Sequence, residues 1–169
     1  NSELMFHQDF SDKLYQTKKG YYETRMPWKK DVVKLPDNRD LAIRRLKSTT
    51  SRLEKLNKLE QYNDIMMEQI NEGILEIVPE KPTGEIIHYI PHQAVIKENA
   101  ESTKMRVVYD CSARKDAQSP SLNDCLEVGP SLQPLILDII LRNRMNKLCV
   151  LADIKKAFLQ IRIHETDRD

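Results

Sequence analysis

The chain has 169 residues, 40% hydrophobic and 31% charged, which suits one ordinary domain with a real core and excludes a chain buried throughout. Its net charge of +1 hides an asymmetry, because Lys18 to Lys58 carries 13 basic against 5 acidic residues while Leu59 to Glu80 carries 6 acids and no base. Cys111, Cys125 and Cys149 lack CxxC spacing, the longest apolar run (Leu135 to Leu141) is interrupted by Asp138, and the polar start is unlike a signal peptide; the expectation is neither a disulfide scaffold nor a membrane span nor a secreted protein.

The expectation is therefore an intracellular protein, cytoplasmic or nuclear, and a start without Met suggests a segment of a longer chain. Residues Asn1 to Gly20 show no clean period and predict weak structure, with a helical turn around Asp9 to Tyr15. Gly20 to Trp28 alternates and ends in Pro-Trp, which predicts a short extended segment with Trp28 packed on a neighbour.

Pro36-Asp37-Asn38 reads as a helix start, Asp or Asn capping the N–H groups that follow, and a helix is predicted from Arg39 toward Leu56. Leu41, Ile43, Leu46, Leu53 and Leu56 form its apolar stripe; Arg44, Arg45, Lys47, Arg52 and Lys55 lie largely outside it. Such a ridge either follows a nucleic-acid backbone, with Arg44, Arg45 and Arg52 as contacts, or is a solvated face. A second helix, Glu60 to Glu72, partly buries Tyr62, Ile65, Met66, Gln69 and Ile70 and stops at Gly73.

The loop around Pro82 and Gly84 divides a helical lead-in, 1–80, from a β-rich remainder, 81–169. There Ile86 to Ile90 and Gln93 to Lys97 read as strands, and Met105 to Asp110 as an antiparallel hairpin partner whose basic ends could clamp phosphates. His88 and His92 lack the HExxH acid, and Pro91 between them argues against a zinc helix. Ser131 is expected to cap a helix through Leu132, Ile136, Ile139 and Ile140. Finally, Leu148 to Ala152 reads as a buried strand running into Asp153 and then a short helix, KKAFLQ. A carboxylate in that place is either a helix cap or a cation ligand.

Together, PHQAVIK (91–97), KMRVVYDCSA (104–113), SLND (121–124), VGP (128–130) and LADIKKAFLQI (151–161) resemble, in order and spacing, the reverse transcriptase of BEL/Pao-type LTR retrotransposons. YYETRMPWK, LPDNRDLAIRRLK and INEGILEIV look like the segment leading into the fingers of that family. The resemblance implies an α+β fold in which an N-terminal helical pair leads into the fingers and the partial palm of a right-handed polymerase. It also implies partners, an RNA or DNA template-primer and a dNTP, and a cofactor, Mg²⁺ or Mn²⁺, in the parent enzyme.

By the same resemblance Asp153 matches the first metal-binding aspartate, with Ile154 lending a backbone carbonyl. Arg106 matches the arginine that holds the triphosphate, Lys97 its lysine neighbour with Lys104 as a substitute, and Phe158 the bulky side chain under the sugar. Lys156 and Ala157 would present backbone N–H groups to phosphate, Asp110 would orient a fingers arginine, and Gln160 would pack or touch the template. The sequence departs from the family in one respect: no Asp-Asp pair occurs, so the YxDD motif is missing. With two of three catalytic carboxylates absent, the piece is expected to hold no metal tightly and to lack polymerase activity. The alternatives are a non-catalytic nucleic-acid-binding remnant and a pseudogene segment without a stable fold.

Overall fold

The computed structural model describes residues 2–31, 35–78, 86–97, 99, 104–131 and 133–168, with side chains from Gln8 onward. It is a mixed α and β structure in two compact units, one of residues 1–24 and 128–162, the other of residues 25–127 and 163–169. No helix among the described residues is long and apolar enough to cross a membrane.

In the second unit, helix α2 (Arg39–Lys55) begins and ends close to its predicted limits, and α3 (Leu59–Asn71) follows after three residues. The turn between them depends on Asn57, whose φ of 52° is left-handed. Asparagine tolerates that conformation at a helix C-terminus, and it lets the Lys58 N–H reach back to the Leu53 carbonyl at 2.9 Å. Gly73 closes α3 in the same way, with φ 69°. Both helices pack against a hairpin of β3 (His92–Ile96) and β4 (Met105–Tyr109), antiparallel with Ala94 opposite Val107 and Val95 opposite Arg106.

The packing is carried by one cluster of buried side chains, Leu53, Tyr62, Ala94 and Met105, ringed by Leu59, Ile65, Met66, Ile96 and Val107. Tyr62, Ile65, Met66, Gln69 and Ile70 of α3 are buried or half-buried as their spacing predicts. On α2 the inward stripe is narrower than expected: Leu53 and Thr49 are buried, whereas Leu46 and Leu56 are exposed. A second cluster, Leu35, Leu122 and Cys125 with Met26, Trp28 and Ile90, gathers the chain before α2 onto the one-turn α4 (Leu122–Cys125). Trp28 thus packs as expected, and it also forms an isolated antiparallel bridge with Leu126.

The first unit contains α1 (Ser2–Lys13), β1 (Tyr15–Gln16), β2 (Tyr22–Thr24) and α5 (Ile136–Arg144). A single 3₁₀ turn, Ala157–Gln160, leads to β5 (Ile161–Ile163), whose last residue passes into the second unit; the sheet order is β1-β2-β5. The Arg162 guanidinium lies 3.8 Å above the Tyr21 ring, a cation–π contact. Every described hydrophobic residue that is fully buried belongs to the second unit.

Several sequence expectations are corrected. The N-terminus is a three-turn helix, α1, rather than a single turn. Ile86 to Ile90 is not a strand, because the Asn38 side chain meets the backbone of Tyr89 in place of a neighbouring strand, donating to its carbonyl and accepting from its N–H, both at 2.8 Å. Ser131 is not the cap of α5; Pro134 cannot continue a helix backward, the helix starts at Ile136, and Leu132 lies outside the described residues. Leu148 to Ala152 is irregular and exposed instead of a buried strand, since no strand among the described residues pairs with it. The expected boundary at Pro82 and Gly84 lies outside the described residues.

Candidate functional site

The β3–β4 hairpin brings together the cations singled out in the sequence. Along a strand, successive side chains point to opposite faces, and the register puts Ala94, Ile96, Met105 and Val107 on the face covered by the helices. The opposite face carries Val95, Lys97, Arg106 and Val108, and the backbone bond from the Lys97 N–H to the Lys104 carbonyl, 2.8 Å, sets the two lysines across from each other. Lys97, Lys104 and Arg106 are exposed and make no ion pair among the described residues. Three cations without an ion pair among the described residues thus share one face of the hairpin, and an arginine can grip a carboxylate or phosphate through two N–H groups.

Polar bonds under the hairpin fix its position. Tyr62 Oη and His92 Nδ1 share a hydrogen bond of 2.5 Å, and the Tyr109 hydroxyl donates to Gln69 Oε1 at 3.1 Å. The Tyr62 and His92 rings are stacked with centroids 6.0 Å apart. Burial pushes the Tyr62 phenol up to about 12, helped by Tyr109 and opposed by Arg52. It also raises Tyr109 and lowers His92, so the cluster favours its neutral forms.

Asp110 at the end of β4 accepts from Arg45 of α2 and from the Ser112 N–H. Burial pushes its carboxyl up, but those bonds outweigh it and the net shift is downward. An arginine is therefore oriented by Asp110, and it is Arg45 on a helix. Arg52 donates to the Ala94 carbonyl at 2.8 Å. Of the three arginines considered for a nucleic-acid backbone, Arg45 and Arg52 are thus engaged within the fold, and Arg44 is exposed.

Asp153, Ile154, Lys156, Ala157 and Phe158 belong to the first unit, whereas Lys97 and Arg106 belong to the second. Asp153 sits in an irregular exposed stretch, and Phe158 is 96% exposed on the 3₁₀ turn. Lys156 precedes that turn in a left-handed conformation, φ 53°, so the expected helix after Asp153 is reduced to four residues. Asp153 with the Ile154 carbonyl offers two oxygen donors where Mg²⁺ takes about six. No group of three or more metal-type side chains occurs among the described residues. His88 and His92 are held separately, His88 by the Pro36 carbonyl and Asn38, His92 by Tyr62.

Four residues have positioning roles that the sequence reading missed. Asn38, 1% exposed, was read as a cap but ties the α2 start to Tyr89, while Asp37 Oδ1 accepts the Arg39 N–H at 2.9 Å. Ser121 and Asp124 form a capping box on α4, with the Ser121 N–H donating to Asp124 Oδ2 at 2.8 Å; the S-x-x-D spacing in SLND was the available signal. Asp167, its side chain 5% exposed, accepts from Trp28 Nε1 at 3.0 Å, the Met26 N–H at 3.1 Å and Arg25 Nε at 3.3 Å. Comparisons with protein-family models, curated proteins and solved structures find no match for this chain.

Proposed function

We propose that the chain is the fingers and early palm of an RNA-directed DNA polymerase of the BEL/Pao retrotransposon type, a piece of an enzyme that adds dNTPs to a primer 3′-hydroxyl. The observation that carries this reading is the solvent face of the β3–β4 hairpin, where Lys97, Lys104 and Arg106 share one face without an ion pair among the described residues, at the positions the resemblance gives to triphosphate contacts. A phosphate chain neutralises that cluster, and the helices behind it keep the cations in register. Asp153 is one of the carboxylates that hold Mg²⁺ or Mn²⁺ in the whole enzyme, and Phe158 is the side chain that excludes a ribose 2′-hydroxyl. The other carboxylates come from paired aspartates that this sequence lacks.

The rival reading, a non-catalytic nucleic-acid-binding remnant using the Lys18 to Lys58 surface, has less to rest on at Arg45, whose guanidinium is paired with Asp110. Primer extension tests the proposal. The 169-residue chain alone should synthesise no DNA, whereas the chain fused to a palm segment bearing paired aspartates should show metal-dependent synthesis that Asp153→Asn abolishes. Synthesis by the chain alone, or a fusion indifferent to Asp153→Asn, would overturn it.

A further inference from the structure

The outer edge of β3 is an open strand edge beside a cationic groove. In an antiparallel pair, hydrogen-bonded and non-bonded residue pairs alternate. The Asp110 N–H bonds the Pro91 carbonyl and the Lys97 N–H bonds the Lys104 carbonyl, each at 2.8 Å. His92, Ala94 and Ile96 therefore direct their N–H and C=O groups away from β4. Among the described residues no strand pairs with that edge, and its Ala94 carbonyl is met by Arg52 alone. Along it runs an open groove of about 480 Å³, lined by 93–96 of the strand and by Arg52, Leu56 and Lys58. Among the described residues no acid lines this groove and Lys58 makes no ion pair.

We infer that this edge receives an acidic peptide segment of a partner protein, added in extended form as a third strand beside β3. An unpaired edge binds through main-chain hydrogen bonds, and flanking side chains select the sequence. On docking, a peptide N–H replaces Arg52 at the Ala94 carbonyl, and the released guanidinium and Lys58 meet the peptide's carboxylates. Leu56 and Ile96 take its alternate aliphatic side chains. A second copy of this chain fits poorly, since β3 paired with β3 would bring like cations together. Single-stranded nucleic acid also fits less well, because the lining holds no aromatic platform on which bases stack. The groove is not lined by Lys97, Lys104 or Arg106, so this inference does not rest on the polymerase reading.

The test is fluorescence anisotropy of the full chain with a labelled ten-residue peptide of alternating Glu and Val. Its comparison probes are a Lys-for-Glu version, a version N-methylated at alternate backbone nitrogens, and an oligo-dT of equal length. The Glu peptide should bind, slow hydrogen exchange at the Ala94 and Ile96 amides, and weaken about tenfold or more on N-methylation or with Lys58→Glu. The Lys peptide should not bind, and Trp28 fluorescence reports whether K58E is folded. Failure of the Glu peptide to bind, equal binding of the N-methylated peptide, or protection elsewhere would overturn the proposal. Binding of oligo-dT in preference to the Glu peptide, lost in K58E, would reassign the groove to nucleic acid.

Discussion

Replacing Leu53 by alanine tests whether one core holds the hairpin and its cations in place. Leu53 is 0% exposed and touches a cluster fed by α2, α3, β3 and β4. Removing three carbons forfeits about 2.4 kcal/mol of transfer energy at ~0.8 kcal/mol per methylene. Walls contributed by four elements cannot all collapse into the space, and the cavity raises the cost to about 3–4 kcal/mol, within the range for buried leucines. A unit of roughly 100 residues has about 5–15 kcal/mol of stability, so the variant should stay folded but lose a large share of it. Urea unfolding followed by Trp28 fluorescence should show the midpoint falling by about 2 M at an m-value near 1.5 kcal/mol/M. Phe158→Ala, at an exposed ring, should shift stability by less than about 0.5 kcal/mol. If Leu53→Ala costs under about 1 kcal/mol, or Phe158→Ala costs as much as it does, the reasoning is wrong.

Asn38→Ala should cost about 2–3 kcal/mol, because it leaves both backbone groups of Tyr89 without their partner, and amide exchange at Tyr89 should rise with it. His92 is depressed by burial, so the unfolded chain takes up a proton that the folded one resists. Stability should accordingly be full above pH ~6.5 and decline below it, down to the folded value; His92→Gln should flatten that slope in melts from pH 8 to 5. Burial pushes Asp167 up, but its bonds from Trp28, Arg25 and Met26 prevail and the net shift is downward. Its contribution should be present above the ordinary aspartate value near pH ~4 and be lost below it, and Asp167→Ala should change Trp28 emission already at pH 7.

The two helices were readable because α2 and α3 carry 3.6-residue patterns, with a Pro-Asp-Asn start before the first and Gly73 after the second. The hairpin was readable from two short β-branched runs around a polar loop. Tertiary partners decided the rest. Ile86 to Ile90 has strand-like residues, yet Asn38 takes the backbone bonds that a strand would need, and nothing local announces that pairing. Leu148 to Ala152 has the composition of a buried strand, and a strand forms only beside a neighbour. Asp167 lies 139 residues from Trp28 and could not be matched to it by spacing. The site was legible to the same degree: Lys97, Lys104 and Arg106 share a face because hairpin register follows from local pattern. The placement of Asp153 and Phe158 depends on contacts that no local pattern encodes.

The most direct measurement is an NMR titration of the isotope-labelled chain with a dNTP, followed at backbone amides and at the arginine side chains. The proposal expects saturable shifts concentrated on Lys97, Lys104 and Arg106, reduced by added salt and lost in Arg106→Ala while the Trp28 region is unchanged. Shifts absent from the hairpin, or unaltered by Arg106→Ala, would contradict it.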